Sequence, residues 1–393
     1  MFNIKEAIQA EFPQVVDWYK HLHQYPEPSF EEYNTTDFIK EKLTEMGGFT
    51  LSQIMKTGVI AEIKGGKPGK TIALRADIDC LKMDELGTDY DFISKKEGLM
   101  HGCGHDAHTT MLLGVAAVLS KYKDELPGTY RLLFQPAEEL PPGGAIEYIK
   151  GGALEGVDYI LGQHVMPTIP TGQIGVRTGA MMAASDRFDA VIKGSGGHAS
   201  QPHLTIDPVA IAAQIVTNLQ HIVSRELDPL DQLVISTTQF HAGSSAVNVI
   251  PGVAQIGGSV RSFSEHARQY AAKRIEEIIK SIAATHRATA EVEYSFGYDA
   301  TINNAEVATT IRDIIAEEYG VDALPTIDPL MGAEDFSRYL RVVPGCFFFL
   351  GMRNEEKGYV HPIHHGCFRV DTEAMPMGME VMLRGAIKLA ESN

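Results

Sequence analysis

The chain has 393 residues, 44% of them apolar, which is enough to bury more than one hydrophobic core and makes two domains the expectation. A formal net charge of −17 with no offsetting basic run speaks against nucleic acid or an anionic membrane as a partner. Four cysteines (Cys80, Cys103, Cys346 and Cys367) without a CxxC pair make no disulfide framework and fit a reducing, cytoplasmic setting. The opening residues Met1 to Ala7 do not read as a signal peptide, and no apolar run is long enough to span a membrane.

Taken in chain order, residues 4–46 read as helix broken near Pro26-Glu27-Pro28. Strands are expected at 58–63, 71–77, 130–134 and 159–162, with helices at about 106–123 and 144–151 between them. Strands alternating with helices imply an α/β domain with a largely parallel or mixed sheet, whose chemistry gathers at the carboxyl ends of the strands. From about 184 to 297 the order becomes strand, helix, strand, strand, helix, strand, the ferredoxin-like βαββαβ pattern. Residues 184–297 therefore read as a domain inserted into a first one built from 1–183 and 298–393. The first domain resumes with helices near 304–319 and 371–391 and a strand at 347–350.

The segment from His101 to His108 holds three histidines, a cysteine and an aspartate in eight residues. A thiolate, imidazoles and a carboxylate that converge suit zinc and its first-row neighbours. The apolar run Met111 to Leu119 follows as a buried helix, with Asp106 expected as its N-cap. Glu138 and Glu139 follow a strand. Two adjacent carboxylates there are either a solvated pair or sit beside a cation, one ligating and the other left as a base. His164 ends an apolar strand, as a core residue or a ligand. His361, His364 and His365 offer a further ligand or a surface loop. In the inserted segment, His198 follows a glycine-rich strand end and could donate to a developing oxyanion. Asn248 could donate hydrogen bonds, and Arg261 could clamp a carboxylate or make a surface ion pair.

In this order, these segments resemble the M20 family of metallopeptidases. The similarity is strongest to the amidohydrolases that include hippurate hydrolase, N-acyl-amino-acid deacylases, N-acetyl-diaminopimelate deacetylase and auxin-conjugate hydrolases. It runs from His23-Gln24-Tyr25-Pro26-Glu27 and Phe30-Glu31-Glu32 through Ala73 to Asp79, His101 to Thr109 and Gln135 to Glu139. It continues through Gly197-His198, Asn248 to Pro251 and Gly332 to Phe336. The resemblance implies a mixed-sheet dinuclear metallohydrolase domain with an inserted lid or dimerisation domain. Its metal ligands would be Cys103, His105, Glu139, His164 and His364, and its general base Glu138. Cys103 would stand where an aspartate bridges the metals elsewhere in the family. His198 would reach the active site of a neighbouring subunit. Leu140-Pro141-Pro142, His365-Gly366 and Lys20-His21 depart from the family's usual residues.

The expected activity is hydrolysis of N-acyl amino acids to a free amino acid and a carboxylic acid. It would use two divalent ions (zinc or manganese, with nickel or cobalt as further candidates), metal-activated water and Glu138. The expected partners are an N-acyl amino acid or short peptide as substrate and a second copy of the chain, in a homodimer or larger homo-oligomer. A peptidase acting on dipeptides or small peptides is the nearest rival. A silent ligand-binding relative would have no use for Glu138. A structural zinc site would not spread its ligands from residue 103 to 364.

Overall fold

In the computed structural model, which describes residues 2–87 and 92–392, the apolar strand patterns assemble into a seven-stranded sheet. Its order is Thr50–Ser52, Val59–Lys64, Pro127–Gln135, Lys67–Asp77, Tyr159–Pro170, Gly345–Arg353 and Ile174–Gly175. The four strands from Pro127–Gln135 to Gly345–Arg353 run parallel, while the outer pairings are antiparallel, so the sheet is mixed. Parallel neighbours need a crossover. The helix His105–Tyr122 supplies the one between Lys67–Asp77 and Pro127–Gln135.

That helix is buried on every side from His105 to Leu119, as its unbroken apolar run requires. It packs against the helices Ile4–Gln24 and Met375–Ala390. At Gly114 a Cβ would lie 2.7 Å from Val15 Cγ2 and 2.5 Å from Met379 Sδ, so all three helices meet where only glycine fits. The start of the helix corrects the expected cap. Gly104, with φ 86°, is the N-cap, and His105 is the first helical residue. Asp106 already lies inside the helix and turns its carboxylate to Ala107 N and to His23 Nδ1, 2.7 Å away. A Cβ on Gly104 would stand 2.4 Å from Val165 Cγ2, so the close turn depends on packing against a distant strand.

The chain forms two compact units. The first runs to Met181, returns over Ile302–Asp328 and resumes at Asp335; it contains the seven-stranded sheet. The second comprises Met182–Thr301 and Pro329–Glu334. Pro329–Glu334 joins it because Ala183 N donates to Leu330 O and Gly332 O, a tie that strand and helix patterns do not announce.

The second unit holds a four-stranded antiparallel sheet in the order Leu233–Ala242, Val253–Ser262, Ala184–Lys193 and Thr289–Phe296. The helices Pro208–His221 and Glu265–Thr285 join its strands in the βαββαβ sequence. Asp207 and Ser264 cap these helices by accepting from their first-turn amides. Along Ala184–Lys193 every second residue is buried. Phe188, Ala190 and Ile192 fill the core. Asp186, on the same face, is held by Arg268 through bonds of 2.7 and 2.9 Å, so its charge is buried as a pair. All four cysteines are free, and no helix among the described residues is long and apolar enough to cross a membrane.

Candidate metal centre

The sheet register brings the chemistry together. Asp77 pairs with Gln135 across one parallel boundary, and Arg75 with Gly162 across the other. The ends of Lys67–Asp77 and Pro127–Gln135 and the level of His164 on the third strand therefore coincide at one edge. Glu138 and Glu139 leave that edge just after Gln135, the loop before the buried helix adds Cys103, and the helix's first residue is His105. The C-terminal loop is tied in by His364 N, which donates to Gly102 O at 2.8 Å.

Among the described residues, three of the sets of donor atoms that lie within 4.8 Å of one another join the candidate ligands: Cys103, His105 and His164; Cys103, Glu139 and His364; and His105, Glu138 and Glu139; a further set is Asp77, His105 and His108. Cys103 is common to the first two sets. Its Sγ lies 3.3 Å from His164 Nε2, while His164 Nδ1 donates to Val165 O at 2.7 Å and so fixes the ring. His105 Nδ1 is held 3.1 Å from Asp79 Oδ1, which aims Nε2 into the cluster. Glu139 Oε1 lies 3.3 Å from His364 Nε2 and 3.9 Å from His105 Nε2. The His364 side chain is half-exposed, so the cluster has a solvent side.

The residues fit a cation. His105 Nε2 and Glu139 Oε1 are buried and make no hydrogen bond among the described residues. Such orphaned groups cost about 1–3 kcal/mol each. Burial, then Glu139, Glu138 and Asp77, push the Cys103 thiol far above its usual range, so a thiolate there calls for positive charge. Burial works to lower His105, but Asp77 and Asp79 outweigh it and lift the ring to about 10. A thiol, imidazoles and a carboxylate in one cluster are donors for a borderline-soft divalent metal.

The other histidines near the cluster are spent or set apart. His108 Nδ1 lies 2.6 Å from Asp77 Oδ1, and its Nε2 accepts from Val165 N at 2.9 Å, so both nitrogens are committed. Buried His101, pushed down to about 4 by burial, belongs to no donor set among the described residues. His365 Nδ1 accepts from Cys367 N, and its ring stacks on His361 at 4.6 Å, whereas His364 turns to Glu139. His23 is raised to about 9: burial opposes the charge, and the bonds to Asp106 and Glu85 overcome it.

Behind the donors sits a buried charge network. Arg75 donates to Asp77 at 2.6 Å, to Asp335 at 2.8 Å and to Gln135 at 2.9 Å. Three acceptors around one guanidinium meet the condition for burying it. The residues alone give neither this network nor Asp79 a role. The signal was present in Arg75-Ala76-Asp77-Ile78-Asp79, where three charges in an otherwise apolar strand pattern must find partners if the strand is central.

The second unit carries the remaining candidates. His198 is exposed, lies on the short strand Gly197–His198 paired with Val249–Ile250, and accepts from Ser200 N at 3.1 Å through Nδ1. Asn248, next to that bridge, is exposed, and its carbonyl accepts from Ala199 N. Arg261 is half-buried on Val253–Ser262; burial pushes its guanidinium down and Asp186 opposes the shift.

A mixed α/β sheet with a thiol, imidazole and carboxylate cluster at the ends of its parallel strands has the donor set of a metal-binding α/β protein. Residues 73–388 match the model of Peptidase family M20/M25/M40, and the chain belongs to that family. It is a metal-dependent amidohydrolase. It is 47% identical over 304 residues to the N-acyl-L-amino acid amidohydrolase of Geobacillus stearothermophilus, covering 77% of this chain and 82% of that one. It is 40% identical over 383 residues to thermostable carboxypeptidase 1 of Saccharolobus solfataricus, covering 96% of each. Among solved structures, the Bacillus subtilis YXEP protein, a dinuclear metal binding peptidase from the M20 family, superposes with a TM-score of 0.86 at 35% identity, covering 98% of this chain and 100% of that one.

Proposed function

We propose that the protein hydrolyses the amide bond of N-acyl amino acids, with Cys103, His105, Glu139, His164 and His364 holding two divalent ions, zinc or manganese in the first instance. The observation that carries this reading is the division of labour within the glutamate pair. Glu139 shares a donor set with Cys103 and His364, whereas Glu138 shares none with Cys103. Glu138 is buried, and its Oε1 accepts from Asp335 N at 3.4 Å. This difference supports reading Glu139 as the ligand and Glu138 as the group that moves protons.

When bound, the ions supply Lewis acidity toward the amide carbonyl and toward water. Glu138 takes a proton from the attacking water and delivers it to the leaving nitrogen. His198 donates to the carbonyl oxygen as charge develops there, and loss of such a donor typically costs about 100- to 1,000-fold in turnover. Asn248 and Arg261 receive the carboxylate of the amino-acid product half, Arg261 through a bidentate pair. Screening N-acetyl, N-benzoyl and longer N-acyl amino acids against dipeptides, with metal measured on the same sample, should give the higher kcat/KM for an N-acyl amino acid. A preference of about tenfold or more for dipeptides, roughly 1.4 kcal/mol of selectivity, would move the assignment to the carboxypeptidase-like reading that the Saccharolobus relative offers.

The same reading places the protein in the cytoplasm as a homodimer, paired through residues 184–297, with His198 acting at the neighbouring subunit's metals. The strand Leu233–Ala242 supports this, since it is an edge of its sheet and exposes Val234 and Phe240. His198→Ala and Glu138→Gln, each poorly active alone, should recover activity when subunits are exchanged, because a mixed dimer assembles one site with both residues intact. Verified exchange without recovery would confine His198 to its own chain or remove it from the reaction.

A further inference from the structure

We propose that Glu32 is the positioning residue of the glutamate pair: its carboxylate fixes the Ala137 peptide in the left-handed turn from which Glu138 and Glu139 diverge. The inference rests on reading Glu138 as base and Glu139 as ligand.

Glu32 is fully buried and stands at the start of the helix Tyr33–Met46, where an acidic side chain would ordinarily accept from its own helix. It makes no such cap bond. Its Oε1 instead accepts from Ala137 N at 2.8 Å and from Phe30 N at 3.0 Å, and its Oε2 accepts from the Thr57 hydroxyl at 2.7 Å. Phe30 and Ala137 are two of the four non-glycine residues with positive φ among the described residues, at 68° and 57°. The left-handed conformation is sterically unfavourable for a residue that carries a Cβ. Both strained residues thus direct their amides at one carboxylate oxygen, and charge-assisted bonds of this kind are strong enough to hold them.

The strain lies next to the chemistry. Ala137 immediately precedes Glu138, is buried, and its carbonyl accepts from Gly144 N, which closes the loop that follows. On the far side of Glu138, Asp79 Oδ2 accepts from Glu139 N at 3.0 Å. Glu138 therefore lies between two amides, each held by a buried carboxylate. Asp79 also holds His105, so removing it disturbs a candidate ligand directly. The Glu32 carboxylate bonds to the Phe30 and Ala137 main-chain amides and to the Thr57 hydroxyl, which makes it the separable half of the cradle. Retained strain of this kind is characteristic of residues that set functional geometry.

The test compares Glu32→Ala and Glu32→Gln in metal-loaded protein, reading kcat, KM, metal per chain and thermal midpoint with an N-acyl amino acid. Glu32→Ala should keep its metal and KM while kcat falls by about tenfold or more, because the base is misplaced by a fraction of an ångström. Glu32→Gln keeps an oxygen that accepts both amides and should return most of kcat. On a Glu138→Gln background, Glu32→Ala should cost little more, since a residue acting through the base has nothing left to position. Glu32→Asp, which retracts the carboxylate by one methylene, carries the same comparisons if Glu32→Ala does not fold. Unchanged kcat in a folded Glu32→Ala, no recovery in Glu32→Gln, or a full additive loss on the Glu138→Gln background would each overturn the proposal. Full activity of Glu138→Gln by itself would instead overturn the assignment of the base.

Discussion

Glu138→Gln is expected to keep its bound metal and to lose about 100-fold or more in kcat. Glutamine has the same length and can still accept from Asp335 N, so the local fold and the 3.4 Å contact survive. Only the capacity to take and return a proton is lost. Glu139→Gln should behave in the opposite way. Its Oε1 faces His105 and His364, and weakening that donor releases metal before it affects any proton transfer. Parallel measurement of kcat and metal content separates the two. Loss of metal from Glu138→Gln together with its retention in Glu139→Gln would show that the roles are reversed.

Much of the site was legible where local sequence and local structure coincide. Cys103 and its three neighbouring histidines stand out as a group because a glycine-rich loop concentrates soft and borderline donors just ahead of an apolar helix. The strands are legible for the same reason, since buried parallel strands show as apolar runs. Residues whose meaning depends on distant packing were not legible. His101, His105 and His108 are equivalent as letters. Only the register of the helix against Asp77 and Val165 leaves His105 Nε2 open while both nitrogens of His108 are used. Asp106 has the chemistry of an N-cap, yet Gly104 takes that position, where φ is 86° and a Cβ would stand 2.4 Å from Val165 Cγ2 on another strand. Glu32 reads as an ordinary helix-start acid, and its bond to Ala137 spans 105 residues. Pro329–Glu334 is drawn into the second unit by two main-chain hydrogen bonds that no hydrophobic periodicity encodes.

In the proposed site, amide cleavage depends on metal held in part through the Cys103 thiolate, which belongs to two of the converging donor sets. Its side chain is buried, its Sγ meets His164 at 3.3 Å, and the surrounding carboxylates leave it no stable charge without a cation. Cys103→Ala removes that shared donor and leaves His105, His164, Glu139 and His364 as two incomplete sets. The decisive measurement is metal per chain and amide hydrolysis on the same preparations of wild type and Cys103→Ala. The expected result is about two divalent ions per chain in the wild type, and in the variant a loss of metal together with a fall in turnover of about 100-fold or more. A Cys103→Ala protein that retains its metal and its full activity would contradict the site.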